Sequence, residues 1–215
     1  MTARTMITLA IMAALAIVPP VFFLTGNAFY LDLATRLVIL GIAAVSLNLL
    51  LGYGGMVSFG HAAYIGIGAY AVGIPVYHEF YGGWDVVAST NGWFQIALAV
   101  ILSALFALIT GAISLRTRGV YFIMITMAFA QMAYYLFISL EEYGGDDGLV
   151  IEMRSELSVV NLDNPLQLYF LCYASLVVAM LIVRTIVASR FGMVIRGAKG
   201  NEGRMAIEKI CRKNV

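Results

Sequence analysis

One glycine-rich stretch of the chain carries most of its structural information: Leu51-Gly-Tyr-Gly-Gly-Met-Val-Ser-Phe-Gly-His-Ala-Ala-Tyr-Ile-Gly-Ile-Gly-Ala-Tyr70. It lies within residues 37–78, a run that contains no Asp, Glu, Lys or Arg. Four glycines fall from Gly52 to Gly60, and glycine destabilises a helix interior by roughly 0.5–1 kcal/mol relative to alanine. The pattern therefore predicts two apolar helices separated by a break.

The composition excludes a soluble domain. Of the 215 residues, 62% are hydrophobic and 12% are charged, whereas soluble domains carry about 25% charged residues. Charges are absent from five runs: residues 5–31, 37–78, 86–115, 119–140 and 164–183. Each run holds the ~20 residues that a helix needs to cross ~30 Å of hydrocarbon, and the longest has room for two helices. We therefore predict an all-α protein, a polytopic transmembrane helix bundle of about six spans with a glycine-broken helix.

Six spans are predicted, with boundaries good to a few residues, at 6–24, 37–51, 61–77, 93–115, 119–140 and 166–183. The first is interpreted as an uncleaved span because it is longer than the ~7–15 residue core of a signal peptide. The connection that carries Asp32 and Arg36 is predicted to be a neutral loop. Helices over 37–51 and 61–77 would be about 22 Å and 25 Å long, short of a full crossing, so the segment between them is expected to dip into the membrane.

Charged residues predict the orientation. Arg116 and Arg118 follow the fourth span, and eight of the thirteen Lys and Arg residues lie from Arg184 onward. Residues 141–165 carry seven acidic residues and one arginine. Because cytoplasmic loops of membrane proteins are enriched in Lys and Arg, both termini are predicted to be cytoplasmic and the acidic segment to face outward.

The break has a chemical consequence. A broken helix at hydrocarbon depth leaves amides and carbonyls unpaired, which is tolerated only where protein buries them or a water-filled cavity solvates them. A polar pathway meets that demand, and Asn48, Ser58 and His61 add polar side chains along the same wall. A tight turn whose glycines serve only close packing is the alternative. His61 is more often a structural residue than a proton carrier.

Two helix faces are predicted to make contacts between helices. Small residues recur every four positions in the fourth span, at Ala99, Ser103, Ala107 and Gly111, and small residues mark helix contacts in membranes. This face is expected to pack on another helix, with a pore-lining role as the alternative. Gln131 in the fifth span needs a polar partner. A hydrogen bond to another helix is expected for it, with contact to a solute as the alternative.

Motifs for catalysis, cofactors and nucleic acids are lacking. No Walker-type phosphate loop is present, so nucleotide hydrolysis is expected on another polypeptide. Ser58 and His61 lack the glycine of a nucleophile elbow, and His78-Glu79 lacks the second histidine of a zinc helix. The net charge of +1, without a basic and aromatic patch, does not favour nucleic-acid binding. We expect no cofactor, no metal and no enzyme activity.

Three blocks resemble the permease subunits of bacterial branched-chain amino-acid ABC importers: Leu47–Tyr70, Leu115–Gln131 and Ser189–Glu202. In that family the first block lies beside the translocation path. The resemblance therefore implies a path formed by Asn48, Gly52, Gly55, Ser58, Gly60 and His61. The third block looks like the cytoplasmic loop that an ATPase subunit grips. It implies coupling residues at Arg196, Lys199, Asn201, Glu202, Arg204 and Ala206.

The resemblance implies an inner-membrane importer subunit for leucine, isoleucine and valine, or related polar solutes, driven by ATP hydrolysis on partner subunits. Its implied partners are a second homologous permease, two cytoplasmic ATPase subunits, an extracytoplasmic solute-binding protein and the lipid bilayer. Residues 1–188 would then be the transmembrane permease domain, and residues 189–215 the cytoplasmic coupling loop. Members of that family continue through further membrane helices after this loop, so we expect the chain to be a fragment or a frameshifted product.

The basic tail has its own pattern. Residues 191–210 are typical of a short helix, a turn and a second short helix capped by Asn201. Glycines at 197, 200 and 203 weaken such helices by up to about 1 kcal/mol each against alanine.

Other function classes remain open. A secondary transporter driven by an ion gradient would use His61 or an acidic residue to carry protons. A non-transporting scaffold protein would pack through its small-residue faces. An intramembrane enzyme is least favoured, since the sequence offers no catalytic pair.

Overall fold

The computed structural model describes residues 3–24, 28–82, 89–117, 119–151, 153–155, 162 and 164–200. Seven α-helices lie within these residues: α1 (Ala3–Leu24), α2 (Ala28–Asn48), α3 (His61–Tyr81), α4 (Gly92–Ser114), α5 (Val120–Ile138), α6 (Pro165–Ala188) and α7 (Arg190–Gly200). A π-helix, Leu49–Tyr53, extends α2, and a short 3-10 helix, Glu141–Tyr143, follows α5. The predicted all-helical class with a broken helix is confirmed.

Four helical stretches within the described part of the chain are long and apolar enough to cross a membrane: Phe29–Tyr53, Gly92–Ser114, Val120–Ile138 and Pro165–Ala188. Helices α1 and α3 coincide with the other two predicted spans, and a total of six crossings stays a prediction. Large apolar side chains such as Ile101, Leu108 and Met132 are exposed on α4 and α5. Such surfaces suit contact with lipid tails or with other membrane helices.

Helix α2 begins at Ala28 rather than at the predicted Leu37. Asp32 and Arg36, assigned to a loop from their charges, lie one turn apart on this helix and form an ion pair at 3.2 Å. Their charges compensate each other, so the helix continues through them. At 1.5 Å per residue, α2 and α3, with 21 residues each, are about 31 Å long. The prediction that both helices are too short to cross the membrane was wrong, and the expected dip of the segment between them into the membrane stays a prediction.

The described chain divides into two compact units, residues 1–46 with 158–185 and residues 47–157 with 186–215. In the first unit, Leu31 and Val38 of α2 form a buried core with Tyr169 and Leu176 of α6. Each pair is separated by seven residues, which places both members on one helix face. The predicted boundary at residue 188 between a transmembrane domain and a coupling segment stays a prediction.

Two tyrosines of α6 fix α1 in the first unit. Pro19 lies inside α1 and has no N–H, so the carbonyl of Leu15, four residues earlier, lacks its usual helical donor. The hydroxyl of buried Tyr169 donates to that carbonyl at 2.6 Å. The hydroxyl of Tyr173 donates to the carbonyl of Met12 at 3.0 Å. A side chain of another helix thus supplies the hydrogen bond that the Leu15 carbonyl loses to Pro19.

In the second unit α3 packs on α4 and α5. The Tyr64 ring lies edge-on to Phe106 of α4, with 5.7 Å between ring centroids, and its hydroxyl is 3.1 Å from Thr110 Oγ1. Ser103 of the small-residue face lies opposite Gly68 of α3, with 3.9 Å between its Oγ and the position a Cβ would take. The predicted helix contact of this face is therefore confirmed at Ser103.

Candidate functional site

The break in the glycine-rich stretch begins after Tyr53, where the π-helix ends. The Gly54 and Met56 amides still donate to the carbonyls of Leu49 and Leu50, at 3.2 Å and 3.3 Å. Gly55 then takes a φ of 70°, a conformation that favours glycine. Helical hydrogen bonding thus continues to Tyr53, two residues beyond the predicted end of the helix at residue 51, since the π-helix continues α2 before the chain turns.

The backbone N–H groups available at this site belong to residues 57–60. Within the described part of the chain, none of their four amides donates a hydrogen bond to another backbone group. Helix α3 then starts at His61, and its N-cap residue, Gly60, provides no side-chain cap. Unpaired amides at a helix N-terminus present a partial positive charge. This short segment therefore offers donors to water or to a bound solute.

The six predicted path residues differ in position and environment: Asn48 ends α2, Gly52 lies in the π-helix, and the other four lie in the break or at the start of α3. Asn48, Gly52 and Gly55 are exposed, Ser58 and His61 are half-buried, and Gly60 is buried. The Asn48 side chain lies against the backbone of Gly52. The His61 ring lies 6.0 Å from that of Tyr64. The structure thus brings the six residues to one region, and their role in a path stays a prediction.

A cavity of about 660 Å³ opens between α3 and α5, next to the break. Its walls are mainly apolar: Phe59, Ala62, Ala63, Gly66 and Tyr70 on one side, and Met127, Ala130, Gln131, Ala133, Tyr134, Phe137 and Ile138 on the other. Tyr70 and Phe137 stack with their ring centroids 4.1 Å apart. None of the six predicted path residues lines the cavity, although Phe59 and Ala62 flank Gly60 and His61.

Sequence reasoning missed this cavity. Its available signal was the spacing of Ala62, Gly66 and Tyr70, which places two small residues and an aromatic ring on one face of α3. Gln131 lines the cavity, and within the described residues its amide has no hydrogen-bond partner. The hydrogen bond expected between Gln131 and another helix is thus not found there, which leaves this amide free to meet a solute.

Residues 141–151, which we name the cover segment, lie at one end of the cavity, where Gly145, Asp146 and Gly148 form part of its wall. Tyr143 Oη is 2.9 Å from Nε2 of His78 near the end of α3. Burial, with the nearby Glu142 adding to it, raises the pKa of the Tyr143 phenol, which is therefore a neutral hydroxyl at physiological pH.

Two further contacts hold this region. The Leu149 side chain packs against Gly73 of α3, where a Cβ would have no room. Just beyond the cover segment, the Ser155 hydroxyl bonds to the side chain of buried Gln95 at the start of α4. The cover segment is therefore attached to α3, which forms one wall of the cavity, and the chain that follows it is attached to α4.

Helix α7 lies at the predicted coupling loop and confirms the first short helix expected in the basic tail. The Ser189 side chain accepts a hydrogen bond from the Gly192 amide at 3.4 Å, so it caps the helix. The Arg196 guanidinium donates to the carbonyls of Gly192 and Val187, at 3.3 Å and 3.1 Å. Arg196 thus holds the bend between α6 and α7.

Helix α7 contacts the π-helix Leu49–Tyr53, the element that leads into the break. A movement of α7 therefore has a direct mechanical route to residues 54–60. The Lys199 side chain and residues Asn201, Glu202, Arg204 and Ala206 lie outside the described residues.

Apolar membrane-spanning helices, an interrupted helix and a cavity beside it define a multi-pass membrane protein of the transport class. The chain belongs to the family described as "Branched-chain amino acid transport system / permease component", which matches residues 29–206.

Two relatives carry the name "High-affinity branched-chain amino acid transport system permease protein LivM". The protein of Salmonella typhimurium is 29% identical over 119 residues, which cover 55% of this chain and 26% of the relative. The protein of Escherichia coli K12 is 26% identical over 149 residues, 69% of this chain and 32% of the relative. The matched region thus spans about a third or less of these relatives. No solved structure gives a significant match.

Proposed function

We propose that the chain is a permease subunit of an inner-membrane ABC importer, which passes branched-chain amino acids or related polar solutes across the membrane. One observation carries this proposal: residues 57–60, whose amides make no backbone hydrogen bond within the described residues, lead directly into the N-terminus of α3, beside the mainly apolar cavity between α3 and α5. Both the family and the named function of the two relatives support it.

The chemistry of the site suits a zwitterion with an aliphatic side chain. The N-terminus of a broken helix attracts a carboxylate through its free amides and its dipole, without a full charge that would trap the solute. The walls formed by Ala62, Ala63 and Met127 suit a branched hydrocarbon chain, and the Gln131 amide adds one polar contact. We place the route along the predicted path residues Asn48, Gly52, Gly55, Ser58, Gly60 and His61, with the cavity as its wider part.

In this proposal, other polypeptides supply the energy for transport. The chain performs no covalent chemistry, and two cytoplasmic ATPase subunits hydrolyse ATP on its behalf. A second homologous permease completes the route, and an extracytoplasmic binding protein delivers the solute. Both termini and α7 lie on the cytoplasmic side, with the acidic segment outside, in keeping with the distribution of Lys and Arg.

The coupling loop acts through the contact of α7 with the π-helix. Closure of the ATPases on ATP pulls on Arg196, Lys199, Asn201, Glu202, Arg204 and Ala206. Helix α7 transmits this movement to the π-helix Leu49–Tyr53, and the helices rock around the break. Joint replacement of Glu202 and Arg204 by alanine should leave ATP hydrolysis intact and abolish uptake. Normal uptake by that double variant would remove the coupling role.

The function is tested by uptake of radiolabelled leucine in cells that lack other high-affinity leucine transport and express the chain with candidate ATPase subunits and a candidate solute-binding protein. We expect uptake that needs a hydrolysis-competent ATPase and survives a protonophore while cellular ATP is maintained. Uptake that collapses with the protonophore would instead establish a secondary transporter. No uptake defect on deletion, and no ATPase recovered with the chain, would establish a scaffold.

A further inference from the structure

The cover segment, residues 141–151, combines attachment with the composition of a surface loop. It supplies Gly145, Asp146 and Gly148 to the cavity wall, yet its four acidic residues, Glu141, Glu142, Asp146 and Asp147, are all exposed. The charged side chains of this segment are already exposed, and the part of it that lies over the cavity is mostly glycine. The segment can therefore move away from the cavity without uncovering an apolar core of its own. Its attachment then depends on a few contacts with α3.

One of these contacts is polar and lies deep. His78 is buried, with 6% of its surface exposed, and its Nε2 is 2.9 Å from the Tyr143 hydroxyl. The Tyr77 ring also lies edge-on to the Tyr143 ring, with 5.4 Å between the ring centroids. Either Nε2 or the hydroxyl donates, according to the histidine tautomer. Within the described residues, this hydrogen bond is the side-chain bond that joins the cover segment to the end of α3.

The second nitrogen of this histidine is unsatisfied. Nδ1 of His78 is buried and has no hydrogen-bond partner within the described residues. An unpaired buried polar atom is unfavourable, and it regains hydrogen bonds once water reaches it. The closed arrangement is therefore not the one in which His78 is best satisfied. Lifting the cover segment gives up the hydrogen bond at Nε2, and water that enters can then bind the ring.

We propose that the cover segment is a movable cover over the cavity between α3 and α5, and that the His78–Tyr143 hydrogen bond is the latch that holds it closed. His78 is a positioning residue: it acts on the cavity through Tyr143. The proposal concerns access to the cavity and holds whatever solute the chain carries, so its test measures access rather than uptake.

The test uses a cysteine reporter inside the cavity. Ala130→Cys is introduced into the full chain with Cys172 and Cys211 replaced by serine, since Ala130 lines the cavity on α5. A membrane-impermeant, hydrophilic maleimide is applied to membranes that contain the protein, and the labelling rate is measured. Tyr143→Phe and His78→Ala break the latch. His78→Gln keeps an amide that can reach Tyr143. Tyr64→Phe is the matched control, because it removes one tyrosine hydroxyl bond between α3 and α4, away from the cover segment.

We expect labelling to be about five- to tenfold faster in Tyr143→Phe and His78→Ala, as befits the loss of one hydrogen bond. His78→Gln should label near the parental rate, and Tyr64→Phe within twofold of it. Equal labelling of Tyr143→Phe and the parent would overturn the proposal. So would an equal increase in Tyr64→Phe, which would indicate general loosening, or a failure of His78→Gln to restore the parental rate. Should His78→Ala not fold, Tyr143→Phe decides alone, since it removes a single oxygen atom.

Discussion

Gly60 lies against the backbone carbonyl of Thr126, so that a Cβ added at residue 60 would stand 2.7 Å from that oxygen. This contact fixes the end of the break against α5, at the edge of the cavity. The contact supports the alternative that glycines in this stretch allow close packing, as far as Gly60 is concerned. The amides of residues 57–59 nevertheless make no backbone hydrogen bond within the described part of the chain. Packing and a polar route are therefore compatible at this position.

Gly60→Ala should force α3 and α5 apart, because a backbone carbonyl cannot move aside as a side chain does. We expect a loss of stability of about 1–3 kcal/mol from overpacking, together with impaired uptake. Gly111→Ala is the control, since its Cβ would meet nothing within 4 Å and alanine favours the helix. Thermal unfolding in detergent measures both variants. A Gly60→Ala chain as stable as the parent would show that the contact is not tight.

Ser58→Cys, in a chain whose two native cysteines are replaced by serine, should react with a hydrophilic maleimide in the assembled complex. The reason is that the amides of residues 57–60 make no backbone hydrogen bond within the described part of the chain, so water is the partner we expect for them. Leu176→Cys, at a buried core position of the first unit, is the unreactive control. If the cysteine at position 58 is not labelled from either side of the membrane, the proposal of a hydrated path is wrong.

Gln131→Met should weaken solute binding while the fold is kept. The Gln131 amide has no partner within the described part of the chain, so its loss leaves no buried group unpaired. We expect the KM for uptake to rise about fivefold, equivalent to one hydrogen bond of ~1 kcal/mol, with unchanged thermal stability. Met132→Leu, on an exposed position outside the cavity, should behave as the parent does. If the KM of Gln131→Met equals that of the parent, the solute does not contact the Gln131 side chain.

Gly192→Ala should disturb the bend between α6 and α7, because its Cβ would collide with the carbonyls of Ile186 and Val187. We expect the ratio of uptake to ATP hydrolysis to fall in the assembled transporter. Gly197→Ala, at an exposed position of the same helix, should keep that ratio and strengthen α7 by up to about 1 kcal/mol. If both variants show the same ratio of uptake to ATP hydrolysis, the bend between α6 and α7 has no part in coupling ATP hydrolysis to transport.

Tyr169→Phe should destabilise the first unit more than Tyr173→Phe does. The Leu15 carbonyl has lost its helical donor to Pro19, so removal of the Tyr169 hydroxyl leaves it unpaired in the interior, at a cost of about 1–3 kcal/mol. The Met12 carbonyl keeps a helical donor, and the loss of the Tyr173 hydroxyl costs about 0.5–1 kcal/mol. Unfolding midpoints of the two variants provide the comparison, and equal midpoints would contradict the role given to Pro19.

The positions of the helices followed from the sequence to within a few residues, with one exception. Runs without charge predicted the spans, and the glycines from Gly52 to Gly60 predicted the break. The exception, α2, starts early because Asp32 and Arg36 pair along the helix, and a count of charges does not detect that their side chains are one turn apart. Four of the six predicted path residues lie in the break or at the start of α3, but the spacing of the six contained no information about the cavity nearby.

The sequence by itself determined the helical class, the break and the family of this protein, because apolar run length, glycine content and motif spacing act over short stretches of chain. Only the tertiary structure decided which side chains meet. His78 bonds to Tyr143 across 65 residues, and Tyr169 bonds to Leu15 across 154 residues. Such pairs depend on how α-helices pack against one another, and neither partner carries a local pattern that identifies the other.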